Sequence, residues 1–387
     1  MLFVVFVPVI TSINFNACPV ALASEEEEFN EIIDEQLGNL DTSEIEDVLN
    51  NLDDSSKDLF GDESFLDKLY KILSGNLGDD SSSILGYIVN LFFDDLLSFL
   101  PIISLIISVA ILGSMLQGLK PKANGNSISS AINFVIYGVV IVLIFSVLGK
   151  LITSVVTTIG TMKSQMDAVF PVLLTLLTSI GGSVSVGVYQ PAMAILSTVI
   201  INIFNVFLMP LFVLSCVLVL LSNLSNTIKL DKMISFVNSL FKWIVGIIFT
   251  IFLGFASFQG LTAGSLDGLS IKTAKYTLKS YIPIVGGYMA DGVFLMLAGC
   301  NLIKNAVGLG GLLLLASTII APILEIIVFM LALKLVAGII EPLGNSKLAS
   351  LISSLAKCMQ MLVAMMAAVS FMYIILVGLV MCSANIV

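Results

Sequence analysis

The sequence predicts an all-α, polytopic membrane protein with an internal repeat and a small helical N-terminal region outside the cytoplasm. Hydrophobic residues make up 58% of the chain and charged residues 11%, and the mean hydropathy of +1.08 exceeds that of soluble domains. A helix needs about 20 apolar residues to cross the roughly 30 Å hydrocarbon layer of a bilayer. We therefore expect about seven or eight spans or re-entrant segments. The apolar runs are residues 96–119, 128–148, 192–221, 234–258, 282–302, 306–340 and 351–381.

Residues 1–23 have the composition of a cleaved secretory signal. An apolar core at residues 2–13 is too short to span a membrane, and Ala21-Leu22-Ala23 then precedes a run of glutamates, which favours cleavage after Ala23. No basic residue precedes the core, which departs from the usual pattern. A lipoprotein signal ending at Cys18 is the alternative. Cleavage of a secretory signal places the residues that follow outside the cytoplasm.

Residues 24–83 form an acidic region with the apolar spacing of short helices. Residues 24–80 hold 19 acidic residues and three lysines, a balance of −16, whereas residues 81–387 hold eight acidic residues and 14 lysines, a balance of +6, which together give −10. This acidity argues against nucleic acid as a partner. The spacing predicts two or three amphipathic helices of about ten residues, which are marginal alone and need a surface to pack on. The region is either a solvated acidic spacer or a docking segment for another extracytoplasmic protein.

The membrane body contains two copies of one unit. Phe170-Pro171 and Ile282-Pro283 lie 112 residues apart (283 − 171), and each is followed 39 residues later (210 − 171 and 322 − 283) by a second proline, Pro210 or Pro322. Such duplication is common in transporters and channels. The body divides into a first hairpin with its connector, a first repeat and a second repeat, at residues 84–168, 169–281 and 282–387.

Three hairpins are predicted, built on Pro101, Pro210 and Pro322. Between each hairpin and the next lies a segment that begins at Phe170-Pro171 or Ile282-Pro283, called here a Pro-led segment. If each Pro-led segment crosses the membrane once, the body has eight spans and inverted repeats. If each enters and returns on one side, the repeats are parallel. The first arrangement places six loop lysines on the cytoplasmic side and the second places five, so the positive-inside rule does not separate them.

The Pro-led segments are rich in glycine. Gly181-Gly182 follows Pro171, and Gly286-Gly287 follows Pro283. Small residues let helices pack closely, and glycine pairs also allow the backbone to break beside a watery cavity, so a packing role and a pore-lining role are both open. The connector at residues 270–281 has lysines on one helical face and apolar residues on another, which favours a helix lying in the membrane interface over a basic loop.

Charged residues within apolar runs are the candidates for an intramembrane site, because a charge in lipid is costly. Glu325 is the first choice, and Lys334 lies about two and a half turns further on the opposite face, so the two cannot pair within one helix. Asp94 and Asp95 are expected to mark the membrane surface. Weaker candidates for cavity-facing groups are Asp291, Lys304, Asn202 and Asn205.

Signals of catalysis are absent from the sequence. It contains no histidine, which excludes Ser-His and Cys-His nucleophile pairs, and no glycine-rich phosphate loop. Its five cysteines do not form a disulfide framework. We therefore expect a protein that is not an enzyme and that has no catalytic, cofactor-binding or metal-binding residues.

The arrangement of signal, acidic head and duplicated body resembles the stage III sporulation protein AE family. The segments that carry the resemblance are residues 35–41 (EQLGNLD), 43–46 (SEIE) and 281–291 (YIPIVGGYMAD). The lack of arginine and the uncharged leader depart from the family's pattern. The resemblance implies a role in endospore formation, as part of the channel that links the mother cell to the engulfed forespore.

The same resemblance implies a location and partners. The chain would lie in the mother-cell-derived outer forespore membrane, with the other stage III A-operon proteins as partners. Those include a cytoplasmic secretion-type ATPase and ring-forming proteins between the two membranes. It implies no catalytic residues. We therefore expect an export-gate or scaffold subunit of that channel, and the alternative is a free-standing secondary transporter that uses the repeat interface with Glu325 as its coupling group.

Overall fold

Helices carry the regular structure of the chain in a computed structural model that describes residues 23–61, 63–74, 81–118, 125–224, 230–281 and 286–383. The predicted all-α class is confirmed, because this part of the chain contains no strand. The predicted signal lies, except for Ala23, outside the described residues.

The acidic N-terminal region, called here the head, contains four short helices among its described residues, whereas the apolar spacing predicted two or three. Ser64 caps the last of them, since its hydroxyl accepts a hydrogen bond from the N–H of Asp67 at 3.1 Å. The carboxylate of Glu46 accepts a bond from the N–H of Phe65 at 2.6 Å and so ties the second helix to the fourth. The helices are α1, Ala23–Gly38; α2, Ser43–Asn50; α3, Asp54–Phe60; and α4, Phe65–Leu73.

Six long helices form the body. The longest have 55 residues, or about 82 Å at 1.5 Å per residue, which is more than twice the thickness of the hydrocarbon layer. A short 3₁₀ turn, Glu341–Leu343, joins the last two. The helices are α5, Ser81–Gly118; α6, Gly125–Ser179; α7, residues 183–224; α8, Asp231–Tyr281; α9, Gly286–Ile340; and α10, Ser346–Cys382.

Helix α7 is irregular. Two π-helical segments, Ile195–Ile200 and Phe204–Leu208, interrupt its α-helical hydrogen bonding. Pro191 and Pro210 lie in the same helix, and each removes a backbone donor. The polypeptide remains helical from residue 183 to residue 224 and packs against α6, α8 and α10.

The helices alternate in direction as three hairpins, α5–α6, α7–α8 and α9–α10. Ser215 of α7 donates to Asn238 of α8 at 2.8 Å, and Phe99 of α5 contacts Phe329 of the parallel helix α9, with ring centroids 5.1 Å apart. The described helix ends that flank the three hairpin turns, among them Gly118, Leu224 and Ile340, therefore lie together at one end of the bundle, called here the hairpin end. The opposite end, which carries the head, is called the head end.

The described residues contain six long apolar helices, whereas the apolar runs predicted seven or eight spans or re-entrant segments. The runs at residues 282–302 and 306–340 belong to the single helix α9, because nothing in the polar sequence between them stops a helix. The connector at residues 270–281 is likewise the last part of α8, neither a separate interfacial helix nor a loop.

The apolar stripe of the head packs on the body. Phe65 and Leu69 of α4 lie against Gly310 of α9, and a Cβ at Gly310 would stand 2.9 Å from the Phe65 ring. Gln36 of α1 donates to the carbonyl oxygen of Met296 at 3.4 Å. Helix α9 has no polar face because the head covers one side of it and α6 and α10 cover others. The apolar face of the head helices is therefore covered by α9 of the same chain and is not a docking surface for another protein.

Candidate functional site

The first Pro-led segment borders a groove between α6 and α7. Pro171 lies inside α6, exposed, and helix α6 continues for two more turns beyond it. The groove encloses about 480 Å³. Its lining comes from Met166, Asp167, Phe170, Pro171, Leu174, Thr175 and Thr178 of α6 and from Val186, Gln190, Met193, Ala194, Ser197 and Thr198 of α7.

A glycine pair closes the end of this groove. The N–H of Gly182 donates to the carbonyl of Leu177 and the N–H of Gly181 to that of Thr178, both at 2.9 Å, which is the Schellman ending of a helix. Gly181 has φ +90°, and a Cβ at Gly182 would lie 2.8 Å from the Leu177 carbonyl oxygen. The pair thus turns the chain between α6 and α7 at the head end, and the break follows the glycines rather than Pro171.

The groove presents hydrogen-bond acceptors. The hydroxyls of Thr175 and Thr178 donate to the carbonyls of Pro171 and Leu174, at 2.9 and 2.8 Å, so their oxygen lone pairs remain available toward the groove. Asp167 adds a carboxylate, which pairs with Lys163 one turn away at 2.5 Å. Both partners are nearly half exposed, so the ion pair contributes little stability.

A buried polar contact lies behind the groove. The side-chain amide of Gln165 donates to the Thr318 hydroxyl at 2.6 Å and to the Leu314 carbonyl at 3.4 Å. Gln165 is fully buried, and its own carbonyl oxygen has no partner among the described residues. The contact fixes the register of α6 against α9, because a shift of either helix leaves the buried amide without its acceptors.

A second buried polar cluster anchors the end of α10. Lys304 of α9 is fully buried, and its ammonium donates to the carbonyl of Ser383 at 2.6 Å. The Ser383 hydroxyl donates to Leu379, so the Tyr189 hydroxyl, 2.7 Å away, is the donor to Ser383. The cluster joins α7, α9 and α10 at the head end.

Glu325 and Lys334 lie far from the groove. Glu325 is half-buried on α9, within electrostatic range of Asp95 on α5 and Lys150 on α6. Lys334 is exposed closer to the hairpin end, in agreement with its expected position on another face of the same helix. The structure thus brings Glu325 together with charged neighbours from two other helices and does not bring it together with Lys334.

The second Pro-led segment differs from the first. Pro283 lies outside the described residues, between α8 and α9, whereas Pro171 lies within a helix. Gly286 and Gly287 are the first two residues of α9, and Asp291 follows in its second turn. Again the glycine pair lies at the boundary of a helix, and only two residues separate it from the proline in the sequence.

Three residues at the head end were not singled out from the sequence. Gln165, Tyr189 and Ser383 are common polar residues in apolar or mixed stretches, and nothing in their spacing marks them. Lys304 was a weak candidate because it is charged within an apolar run. Among the described residues no group of three or more His, Cys, Asp or Glu side chains is placed to hold a metal ion.

Comparison with known proteins covers most of the chain. The family model described as Stage III sporulation protein AE matches residues 64–384, which include α4 to α10 and the whole groove. The Stage III sporulation protein AE of Bacillus subtilis (strain 168) is 26% identical over 323 residues, which span 84% of this chain and 81% of the relative. No solved structure matches the chain.

Proposed function

The chain belongs to the stage III sporulation protein AE family, as a multi-pass membrane protein with a role in sporulation, and from this premise we propose that it is a membrane subunit of the mother cell–forespore channel. In this role it works as an export-gate or scaffold subunit without an activity of its own. The observation that carries the proposal is the acidic head, which docks along α9 and is held there by buried apolar contacts. A head fixed in this way presents one defined surface to other proteins.

The lysines support an extracytoplasmic head. The turns at the hairpin end carry five lysines, whereas the α8–α9 junction at the head end has three nearby, at residues 272, 275 and 279. Cytoplasmic loops carry the excess of lysine, so the hairpin end faces the cytoplasm and the head faces the opposite compartment. The five are Lys120, Lys122, Lys229, Lys232 and Lys347. We place the protein in the outer forespore membrane with its hairpin end toward the mother-cell cytoplasm.

The head's outward surface suits a basic partner. Its exposed side chains are acidic on both α1 and α2, and hydrogen bonds from the Ser43 hydroxyl and N–H lower the pKa of the Asp41 carboxyl, which keeps it ionised. We propose that the ring-forming stage III A-operon proteins bind here and that the cytoplasmic ATPase acts at the hairpin end. The exposed carboxylates are those of Glu31, Asp34, Glu35, Asp41, Glu44 and Asp47.

Reversing three of these charges tests the proposal. We expect the variant Glu31→Lys, Asp34→Lys and Glu35→Lys to lose at least about tenfold in affinity for the ring proteins, or about 1.4 kcal/mol, because like charges then face a basic surface. Spore counts should fall in parallel, while the level of the protein in the membrane stays unchanged. Co-purification from sporulating cells and heat-resistant colony counts measure the two effects.

The matched control is Glu341→Lys, an exposed reversal at the hairpin end, which should leave ring-protein binding intact. Full binding by the triple variant would remove the acidic surface from the proposal. Solute uptake by vesicles containing this chain alone would instead favour the free-standing transporter.

A further inference from the structure

The docked head limits how deeply the bundle sits in the membrane. Head side chains contact α9 between Met296, which accepts a bond from Gln36, and Gly310, which lies under Phe65. Residues 24–80 carry 19 acidic side chains and three lysines. Ionised side chains are excluded from hydrocarbon, so the stretch of α9 that the head covers lies outside the bilayer.

Part of helix α6 lies at the same level along the bundle axis as the head. Gln165 bonds to Leu314 and Thr318 of α9, and a Cβ at Gly311 would lie 2.9 Å from Val169. The part of α6 beyond Gln165, including the groove at Pro171, therefore stands level with the head.

The exposed face of α6 changes at Lys150 from large apolar side chains to mainly small and polar ones. Toward the hairpin end it is apolar, with Phe134 72% and Val142 68% exposed. Beyond Lys150, Val156 is the one large aliphatic side chain that remains exposed on α6. The rest of the exposed face there consists of Thr153, Thr157, Gly160, Ser164, Asp167, Pro171, Thr175, Thr178 and Ser179.

Two other helices have largely apolar exposed faces over a similar distance from the hairpin end. These faces extend to Asp95 on α5 and to Asn202 on α7. These two residues stand 23 and 22 positions from the hairpin-end termini of their helices (118 − 95 and 224 − 202), or about 33–35 Å. That length matches a bilayer of about 30 Å of hydrocarbon with its interfacial layers. Some exposed apolar side chains remain beyond this level on α5, α7 and α9, namely Val89, Phe93, Val184, Ile195, Val199, Val293 and Met296.

We propose that the bilayer covers only the hairpin half of the bundle and that its outer surface lies at the level of Asp94, Asp95, Lys150 and Glu325. The exposed apolar belt below this level contacts lipid acyl chains. The helices above it form a column that extends about 44 Å out of the membrane along α6 (residues 150–179). The Pro171 groove lies about 30 Å above the lipid, where it meets water and proteins rather than the membrane interior.

Spin labels along α6 test this placement. Single cysteines replace Val142, Ser164 or Thr175 in the full chain, after the partly or fully exposed Cys300 and Cys382 are changed to serine. The labelled protein is reconstituted in phosphatidylethanolamine–phosphatidylglycerol vesicles. We expect the label at Val142 to collide with oxygen and to be shielded from an aqueous nickel chelate, and the labels at Ser164 and Thr175 to show the reverse order.

Shielding of Ser164 and Thr175 from the nickel chelate would overturn the proposal. A lysine substitution on each side of the proposed boundary, at Val142 or at Thr157, provides a second test in cells. Thr157→Lys is expected to leave the amount of membrane-inserted protein unchanged, and Val142→Lys to lower it. Equal loss for both would also contradict the proposed boundary. The inference uses only the membrane location of the chain, so neither result depends on the channel role.

Discussion

Phe65→Ala is expected to lower the free energy of unfolding by about 3–5 kcal/mol, the usual cost of removing a buried aromatic side chain. Phe65 is fully buried between α4 and the face of α9 at Gly310, so no neighbouring side chain is free to fill the space. The lost free energy is expected to weaken mainly the packing of the head on α9. Denaturant titration of the purified chain in detergent measures the energy, and protease cleavage near residues 61–64 reports release of the head.

Two controls separate docking from a general loss of stability. Tyr70→Ala removes an aromatic side chain from the same helix, but Tyr70 is 43% exposed, and we expect a cost below about 1 kcal/mol. Gly310→Leu should displace the Phe65 ring, whereas Gly338→Leu on the same helix enters open space. Equal sensitivity at Tyr70 and Phe65 would mean that the head does not dock through this face.

Tyr373→Ala is expected to cost about 3–5 kcal/mol, and Tyr373→Phe to cost nothing or to stabilise the fold. The Tyr373 ring is fully buried on α10 and meets the Phe170 ring edge-on, with centroids 5.4 Å apart. Its hydroxyl oxygen has no hydrogen-bond partner among the described residues. The ring therefore stabilises the packing of α6 on α10, and the hydroxyl does not.

Thermal and denaturant unfolding of both variants measure the two effects. A phenylalanine variant as unstable as the alanine variant would reveal an acceptor for the hydroxyl. A small loss in the alanine variant would mean that α6 and α10 repack without the ring.

The amphipathic head helices and the three hairpins could be predicted from the sequence because they depend on local apolar spacing. The surface beneath the head could not. Gly299 and Gly310 are ordinary glycines in an apolar run. They matter because the absence of a side chain leaves room for Gln36 and Phe65, which are distant in the sequence. Spacing showed that the head needed a surface to pack on, but not that α9 supplies it.

The helix boundaries in the Pro-led segments were harder to predict for a different reason. Proline disfavours a helix interior, yet Pro171 is accommodated in α6, where packing on α9 and α10 outweighs the lost backbone bond. Gly181 and Gly182 stop the helix because their backbone geometry suits the turn. The groove itself could not be predicted: Pro171 was a candidate residue from the sequence, but the groove beside it depends on the path of α7.

The three hairpins imply that the number of membrane crossings is even. With an even number of crossings, we expect the head and the end of α10 to lie in the same compartment. A reporter fused after Ser383 and a reporter inserted before α1 would therefore give the same compartment signal. Lys304 and Tyr189 hold the end of α10 within the column, so a fusion there would also sit beside the surface that carries the head.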